Sequence, residues 1–480
     1  MRLNKEMDAV PSTSLYFFDD WRLRLRQGFD REQGQPSRVG EIPLGSHPEL
    51  NVLRGFVGVD YDERRECWFS IIDCHPADGS PRFHLRMETD DVYHWEAPRW
   101  REGSDPIWRR TDHLVVDQHD EPIACFNILP LSGTPHEDRG SFMNMYRYIA
   151  ADSTRTPGAT AFSQDGFRWD VDVDTQWIDY LSDTGNPAIY DPVIDQYRIY
   201  CRPHFVDRRV AMVLSPDLQS FSEPTVVLQP DVLDPPNREF YGLGPIKLDG
   251  MYVGMYSVYD TEVTEIEAPG KMQGVNQTHI AYSYNLQNWY RLHREPFMPR
   301  TEAGSPFGGS VYPSAPMRTP DDRLLFHCMG QGVEHGAHTE GLKAANSWRT
   351  YQYEMRLDGW VYLRTRARYG RIQTKALQPA GGPLTINVRT APSGEARVAV
   401  LDRETLQPVP GYSMEECVPT QGDVVAGVVR WQERENLDEL KDRPVILEVQ
   451  VREGELYSLR FNYRMAQFTY GPEGPRLIDD

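Results

Sequence analysis

Apolar residues along this chain fall in short runs, among them Cys67 to Ile72, Tyr197 to Cys201, Met251 to Tyr256 and Arg323 to Met329, set between Gly, Pro, Asp and Asn. Runs of that length, rich in aromatic and branched side chains and cut off by turn formers, predict β-strands and not helices. No stretch comes near the roughly 18 apolar residues that a membrane helix needs. The opening MRLNKEMDAVPS has no apolar centre of the kind a secretory signal carries. The expectation is a soluble, cytoplasmic protein with no membrane partner, secretion being left open.

Between these runs one turn phrase recurs four times: Thr89 to Trp95, Ser163 to Trp169, Ser215 to Phe221 and Ser283 to Trp289. Each copy has Ser or Thr first, Asp or Asn two residues on, and an aromatic six residues on. The hydroxyl and the Asp or Asn oxygen suit the backbone groups of a hairpin, and the aromatic suits the start of the next strand as a packing plug. The copies start 74, 52 and 68 residues apart, each about the length of one four-stranded sheet with its loops. A degraded fifth unit ends near Tyr353 to Trp360. Such repetition predicts sheets arranged radially, with the first strand of each around a central channel.

Five sheet units are expected within residues 45–365, and residues 1–44 supply an N-terminal strand and loop that close or cover the array. After residue 366 the phrase stops. The alternating strands of PLTINVRTAPSGEARVAVLD, PVILEVQV and ELYSLRFNY then predict a separate β-sandwich over 366–480. The fold class is therefore all-β, a five-bladed β-propeller followed by a C-terminal β-sandwich.

Charge and cysteine content narrow the function. A net charge of −20 without a clustered Lys/Arg surface argues against a nucleic-acid partner. The six cysteines lack metal-like pairing and mostly sit in apolar strand runs, as buried free thiols do. The 13 histidines form no zinc phrase. No cofactor is expected; a structural calcium is compatible with such a channel, although no ligand phrase identifies one. An exposed sandwich face could pair subunits into a homo-oligomer.

Aligning the units on their second strands locates the chemistry. Counting back about a dozen residues reaches Asp183 in SDTGNP, Glu239 in NREFYG, the segment from Glu49 to Arg54, and the neighbourhood of Ser310. Three units thus offer a carboxylate at the channel mouth. Carboxylates gathered in a concave site repel, so one holds its proton while another stays ionised, as acid and base on one bond require.

With its SxDGxxW turn, five units and appended sandwich, the chain resembles the five-bladed propeller glycoside hydrolases, the superfamily of invertases and arabinanases. The SDTGN and DGMYVG phrases are similar to those of glycosyl hydrolase family 32-like bacterial proteins. The Asn-Asp-Pro-Asn phrase of invertases does not occur, and Glu416-Cys417 falls in the sandwich. The resemblance implies a carbohydrate substrate and cleavage of a glycosidic bond by a carboxylate pair. It gives Glu239 the part of general acid, Asp183 that of nucleophile or base, and Glu49 that of a third carboxylate. Arg54, Arg202, Asn186, Tyr241, Trp108, Glu334 and His335 are the candidate substrate-binding residues, the arginines as forked donors and the aromatics as flat apolar faces.

Each residue also has a plainer reading. Asp183 and Asn186 could organise a turn, Glu239 and Glu49 could be solvated loop charges, the arginines could be ion-pair partners, and the aromatics could be core. Two other functions stay open. A glycoside phosphorylase would gather Arg54, Arg202 and His335 around phosphate, and a non-catalytic glycan-binding propeller would keep the aromatics without needing opposed acids.

Overall fold

In the computed structural model the described residues are 12–45, 47–80, 82–123, 127–146, 159–180, 182, 184–204, 207–261, 274–334, 348–471 and 474–477. Apart from three short 3-10 turns, regular structure among them is all β. No helix among them is long and apolar enough to cross a membrane. The chain divides into two compact units, one of residues 36–246 and 253–355, the other of residues 1–35, 247–252 and 356–480.

The first of these units is a succession of mostly antiparallel sheets. Leu50–Asp62, Cys67–Pro76 and Phe83–Thr89 form the first. The second has five strands, among them Phe142–Tyr146, Ala159–Ser163 and Arg168–Gln176. The third has four, Ala188–Asp191, Gln196–Cys201, Val210–Ser215 and Thr225–Leu228. An eight-stranded sheet follows, made of two groups joined by a parallel pairing of Asn276 with Ser310. Its fourth-sheet group is Arg238–Leu248, Met251–Asp260 and Val275–Ser283, and its fifth-sheet group includes Ser310–Pro313, Arg323–Gln331 and Trp348–Arg356. The outermost strand of the fifth group is N-terminal: Ser37–Glu41 pairs with Trp348–Arg356.

The recurring turn explains why these sheets stay together. In the second copy Ser163 Oγ accepts from the Gly166 amide at 2.8 Å and donates to the Arg168 carbonyl at 2.6 Å. Asp165 Oδ1 accepts from the amides of Phe167 and Arg168, both at 2.9 Å. Asp217 and Asn285 accept from the two corresponding amides in their own copies. The backbone groups thereby satisfied are those the hairpin itself leaves without a partner. The Trp169 indole is fully buried and donates to the Gly166 carbonyl at 3.1 Å.

The outward carbonyls of these turns are bound by the sheet that precedes them. Arg86 Nη1 of the first sheet donates to the Asp165 carbonyl at 2.7 Å, and Tyr200 Oη of the third donates to the Leu286 carbonyl at 2.6 Å. Leu218 of the third copy packs among Leu131, Met143 and Met145 of the second sheet region. The first copy is held by the fifth sheet, where His327 Nε2 donates to the Val92 carbonyl at 3.0 Å and Gln352 donates to that of Tyr93 at 2.9 Å. The order of contacts therefore returns to its start.

The phrase near Trp360 behaves differently from the other four. Residues 356–360 belong to the second compact unit, where Asp358 accepts from Arg460 at 2.6 Å. That unit also takes in residues 12–35, so it starts about ten residues before the expected boundary at 366 and draws on the N-terminal segment. Its nine-stranded sheet is organised by Thr385–Asp402 and Val445–Met465, 18 and 21 residues long, which pair antiparallel with a slip between Thr390 and Glu395. Strands that long accumulate twist, and the slip is where such a strand bends. Leu363, Ile372, Val388, Val398, Leu447 and Trp431 belong to one apolar cluster beneath it.

Removing the Asp165 carboxylate by Asp165→Ala should cost about 1 kcal/mol, since two turn amides at an exposed position lose their acceptor and water replaces it in part, and urea unfolding measures it. A second expectation concerns acid. Burial pushes the His327 imidazole down to about 4 from 6.5, so the folded protein declines a proton that the unfolded chain binds. The stability this contributes is complete above about pH 6.5 and is lost as pH falls toward 4. Urea midpoints measured across that range should slope less in His327→Gln than in the parent.

Candidate functional site

Glu239 lies at the start of Arg238–Leu248 and is 8% exposed. Its partner comes from the segment between two strands of the third sheet: Arg208 Nη1 donates to Glu239 Oε2 at 2.6 Å. The two are also tied through the backbone, the Phe240 amide donating to the Arg208 carbonyl at 3.1 Å. The guanidinium lies 4.8 Å from the ring centre of Tyr259 and 5.4 Å from that of Tyr241, within cation–π range of both. Glu239 Oε1 takes no hydrogen bond from a described residue, so one oxygen of the carboxyl is held by Arg208 and the other is not.

Tyr259 reports what else is near. Its hydroxyl is pushed up to about 12, by burial first, with Arg208 opposing and the negative charges of Glu239, Tyr312 and Glu334 adding to the rise. Glu334, 5% exposed, follows the strand Arg323–Gln331 of the fifth sheet. It is brought in by a close approach. A Cβ on Gly309 would fall 1.8 Å from the Val333 carbonyl oxygen and 2.8 Å from the Glu334 amide, so only glycine lets the entry to Ser310–Pro313 press against that segment. Two carboxylates from different sheets, an arginine and tyrosine rings therefore share one neighbourhood.

The other expected residues divide. Asp183 and His335 lie outside the described residues, as does the Arg54 side chain, although the Arg54 backbone pairs with Asp73. Around Asp183, Asn186 is 1% exposed with φ of 50°, and its Oδ1 accepts from Ser182 at 2.5 Å and Thr184 at 3.0 Å. Its oxygen thus organises the loop. The Arg202 amide donates to Ser182 Oγ at 2.9 Å, so its backbone serves the same loop. Thr184 Cβ comes 3.9 Å from where a side chain on Gly242 would begin, which sets this loop beside the strand that carries Glu239.

Glu49 stands elsewhere. Its side chain is 55% exposed and accepts from Arg110 at 2.5 Å, a hydrogen bond that holds the carboxyl below the usual range. No contact among the described residues links it to Glu239. Trp108 packs against the core of the first sheet, with Arg109 4.5 Å from its ring centre.

Two groups carry no sequence phrase. Asp60, half-buried on Leu50–Asp62, is pushed up to about 7 by burial alone and takes no bond from a described residue. Asp73 is fully buried, 3.1 Å from His75 Nε2 and 3.2 Å from His84 Nε2. Among the described residues no cluster of His, Cys, Asp and Glu could hold a metal ion.

Against known proteins, no family model matches the chain, and no curated protein matches it by sequence. Solved structures do. A family 32 β-fructofuranosidase of Bombyx mori is 12% identical, with 90% of this chain and 94% of that chain covered and a TM-score of 0.40. A sucrose-6-phosphate hydrolase from Lactobacillus gasseri is 12% identical over 89% and 93%, with a TM-score of 0.41. An α-L-arabinofuranosidase from Podospora anserina, solved with cellotriose, is 11% identical over 67% and 96%, with a TM-score of 0.41. The solved structures to which the chain is similar thus include glycoside hydrolases, the class its turn phrases resemble.

The Arg208–Glu239 pair makes a stability prediction. Arg208→Met leaves a buried carboxylate without its partner and should cost about 3–5 kcal/mol. The double variant Arg208→Met/Glu239→Leu should recover most of it in urea unfolding.

Proposed function

We propose that this chain is a glycoside hydrolase on a five-bladed β-propeller, followed in sequence by a β-sandwich. The five sheets are its blades, closed into a ring by the turn-to-sheet contacts and by Ser37–Glu41 on the fifth. The observation that supports catalysis is Glu239, buried at a strand entry, with one oxygen occupied by Arg208 and Glu334 within charge range of the same tyrosine.

Hydrolysis moves a proton to the leaving oxygen, breaks its bond to the anomeric carbon, and joins the oxygen of water to that carbon. Glu239 acts as the general acid through Oε1, since Oε2 is taken. Asp183, whose neighbours form the loop beside the same strand, is the nucleophile or base. Glu334 takes the part of third carboxylate in place of Glu49. Tyr241 and Tyr259 flank the guanidinium; Tyr259 is buried, and the half-buried Tyr241 presents a ring face to a sugar. Phosphorolysis would instead gather Arg54, Arg202 and His335 around phosphate; His335 and the Arg54 side chain lie outside the described residues.

The experiment is release of nitrophenol from a panel of aryl glycosides. Glu239→Gln should lower kcat by about 10²–10⁴-fold while remaining folded at the assay temperature, and Asp183→Asn should do the same. Wild-type protein that turns over no glycoside, or Glu239→Gln with undiminished turnover, would refute the hydrolase reading.

A further inference from the structure

The junction of the fourth and fifth sheets holds buried polar side chains whose hydrogen-bonding groups are unmet among the described residues. Asn276 is 0% exposed, and neither its Oδ1 nor its Nδ2 has a hydrogen-bond partner among the described residues; Ser310 is likewise 0% exposed, with Oγ unpartnered among them. They stand side by side. Asn276 pairs in parallel with Ser310, its amide donating to the Gly309 carbonyl at 3.0 Å, and Ser310 pairs antiparallel with Gln331. Residues paired across strands project from one face of the sheet. Asn276, Ser310 and Gln331 therefore form a row across three strands, and Gln331, half-buried, marks its open end.

This row adjoins the site already described. On one side Gly309 lies against the Glu334 amide. On the other, a Cβ on Gly274 would meet the Asp260 carbonyl oxygen at 2.2 Å, so the strand entry that carries Asn276 runs beside the strand end that carries Tyr259. Buried amides and hydroxyls are normally paired, and each one left unmade costs stability. Three such atoms on adjacent residues next to a functional centre are what a missing ligand leaves behind.

We propose that Asn276 and Ser310, with Gln331 at the opening, form a subsite for one sugar residue with adjacent free hydroxyls. A carboxamide offers a donor and an acceptor on one planar group. One ring hydroxyl donates to Oδ1 while its neighbour accepts from Nδ2, and the Ser310 hydroxyl completes the set. This rests on the glycosidase reading and names where that enzyme holds the sugar.

Thermal unfolding tests it, using D-glucose, D-galactose, D-xylose, L-arabinose and D-fructose as probes at about 100 mM, where a weak ligand raises the midpoint by mass action. Without sugar, Asn276→Leu and Ser310→Ala should melt at or above the parent temperature, Asn276→Leu higher by about 1–3 °C. At least one sugar should raise the parent midpoint, and both variants should lose that rise while Glu239→Gln keeps it. Loss of midpoint in both unliganded variants would show that these atoms serve the fold and would overturn the proposal. So would equal stabilisation of parent and variants, or no stabilisation of the parent by any probe. If the rise depends on Asn276 but glycoside turnover is absent, the subsite stands and the hydrolase reading falls.

Discussion

The structure depends on one contact repeated with different chemistry: a tight turn whose backbone a neighbouring sheet completes. Ser or Thr and Asp or Asn settle the inner amides of the turn, which frees its outer carbonyls to face the preceding sheet. Arg86, Tyr200 and His327 take those carbonyls with a guanidinium, a phenol and an imidazole. The donor changes because each sheet has a different interior, while the acceptor is backbone and stays the same. Arg86 shows what holding the position requires. It is fully buried and needs Asp62 at 2.6 Å and the Phe69 ring at 4.0 Å to offset the loss of water. His327 meets the same need by staying neutral.

The turns were legible in the sequence because their spacing is local. A hydroxyl, an acid two residues on and an aromatic six residues on make their bonds within one hairpin, and no distant partner is needed to see them. The strands between them were legible for the same reason. The phrase at Trp360 was misleading, since its Asp358 bonds to Arg460, about a hundred residues away, and that partner decides which unit it joins. The nine-stranded sheet hid its N-terminal strands for a similar cause, as Phe29–Gln33 pairs with Val361–Thr365 across most of the chain.

The site was legible only in part. Glu239 could be found because its distance to the following strand repeats that of other units. Arg208 could not, for it sits in VDRRV, where nothing separates it from Arg209, which pairs with Asp207 two residues away. Glu49 matched the spacing but not the surroundings: a helical turn places Arg110 beside it, and its exposure keeps it a surface ion pair. Spacing locates a strand entry, but the side chains that reach it from other sheets decide whether a carboxylate is functional.

Burial and satisfaction separate at that entry, and this divides its polar residues by role. Asn186 and Asn276 are equally hidden, yet Asn186 Oδ1 accepts from two hydroxyls within its own loop while neither side-chain amide atom of Asn276 has a partner among the described residues. The first is explained by the turn it builds. The second lowers stability in a fold that elsewhere settles its buried backbone with care, and a chain under selection for stability alone would replace it with a hydrophobic residue of the same size. The deficit is confined to the side chain, because the backbone of the same strand entry is settled: the Asn276 amide donates to the Gly309 carbonyl at 3.0 Å. The same division of labour lets Glu239 keep one oxygen uncommitted while Arg208 fixes the other.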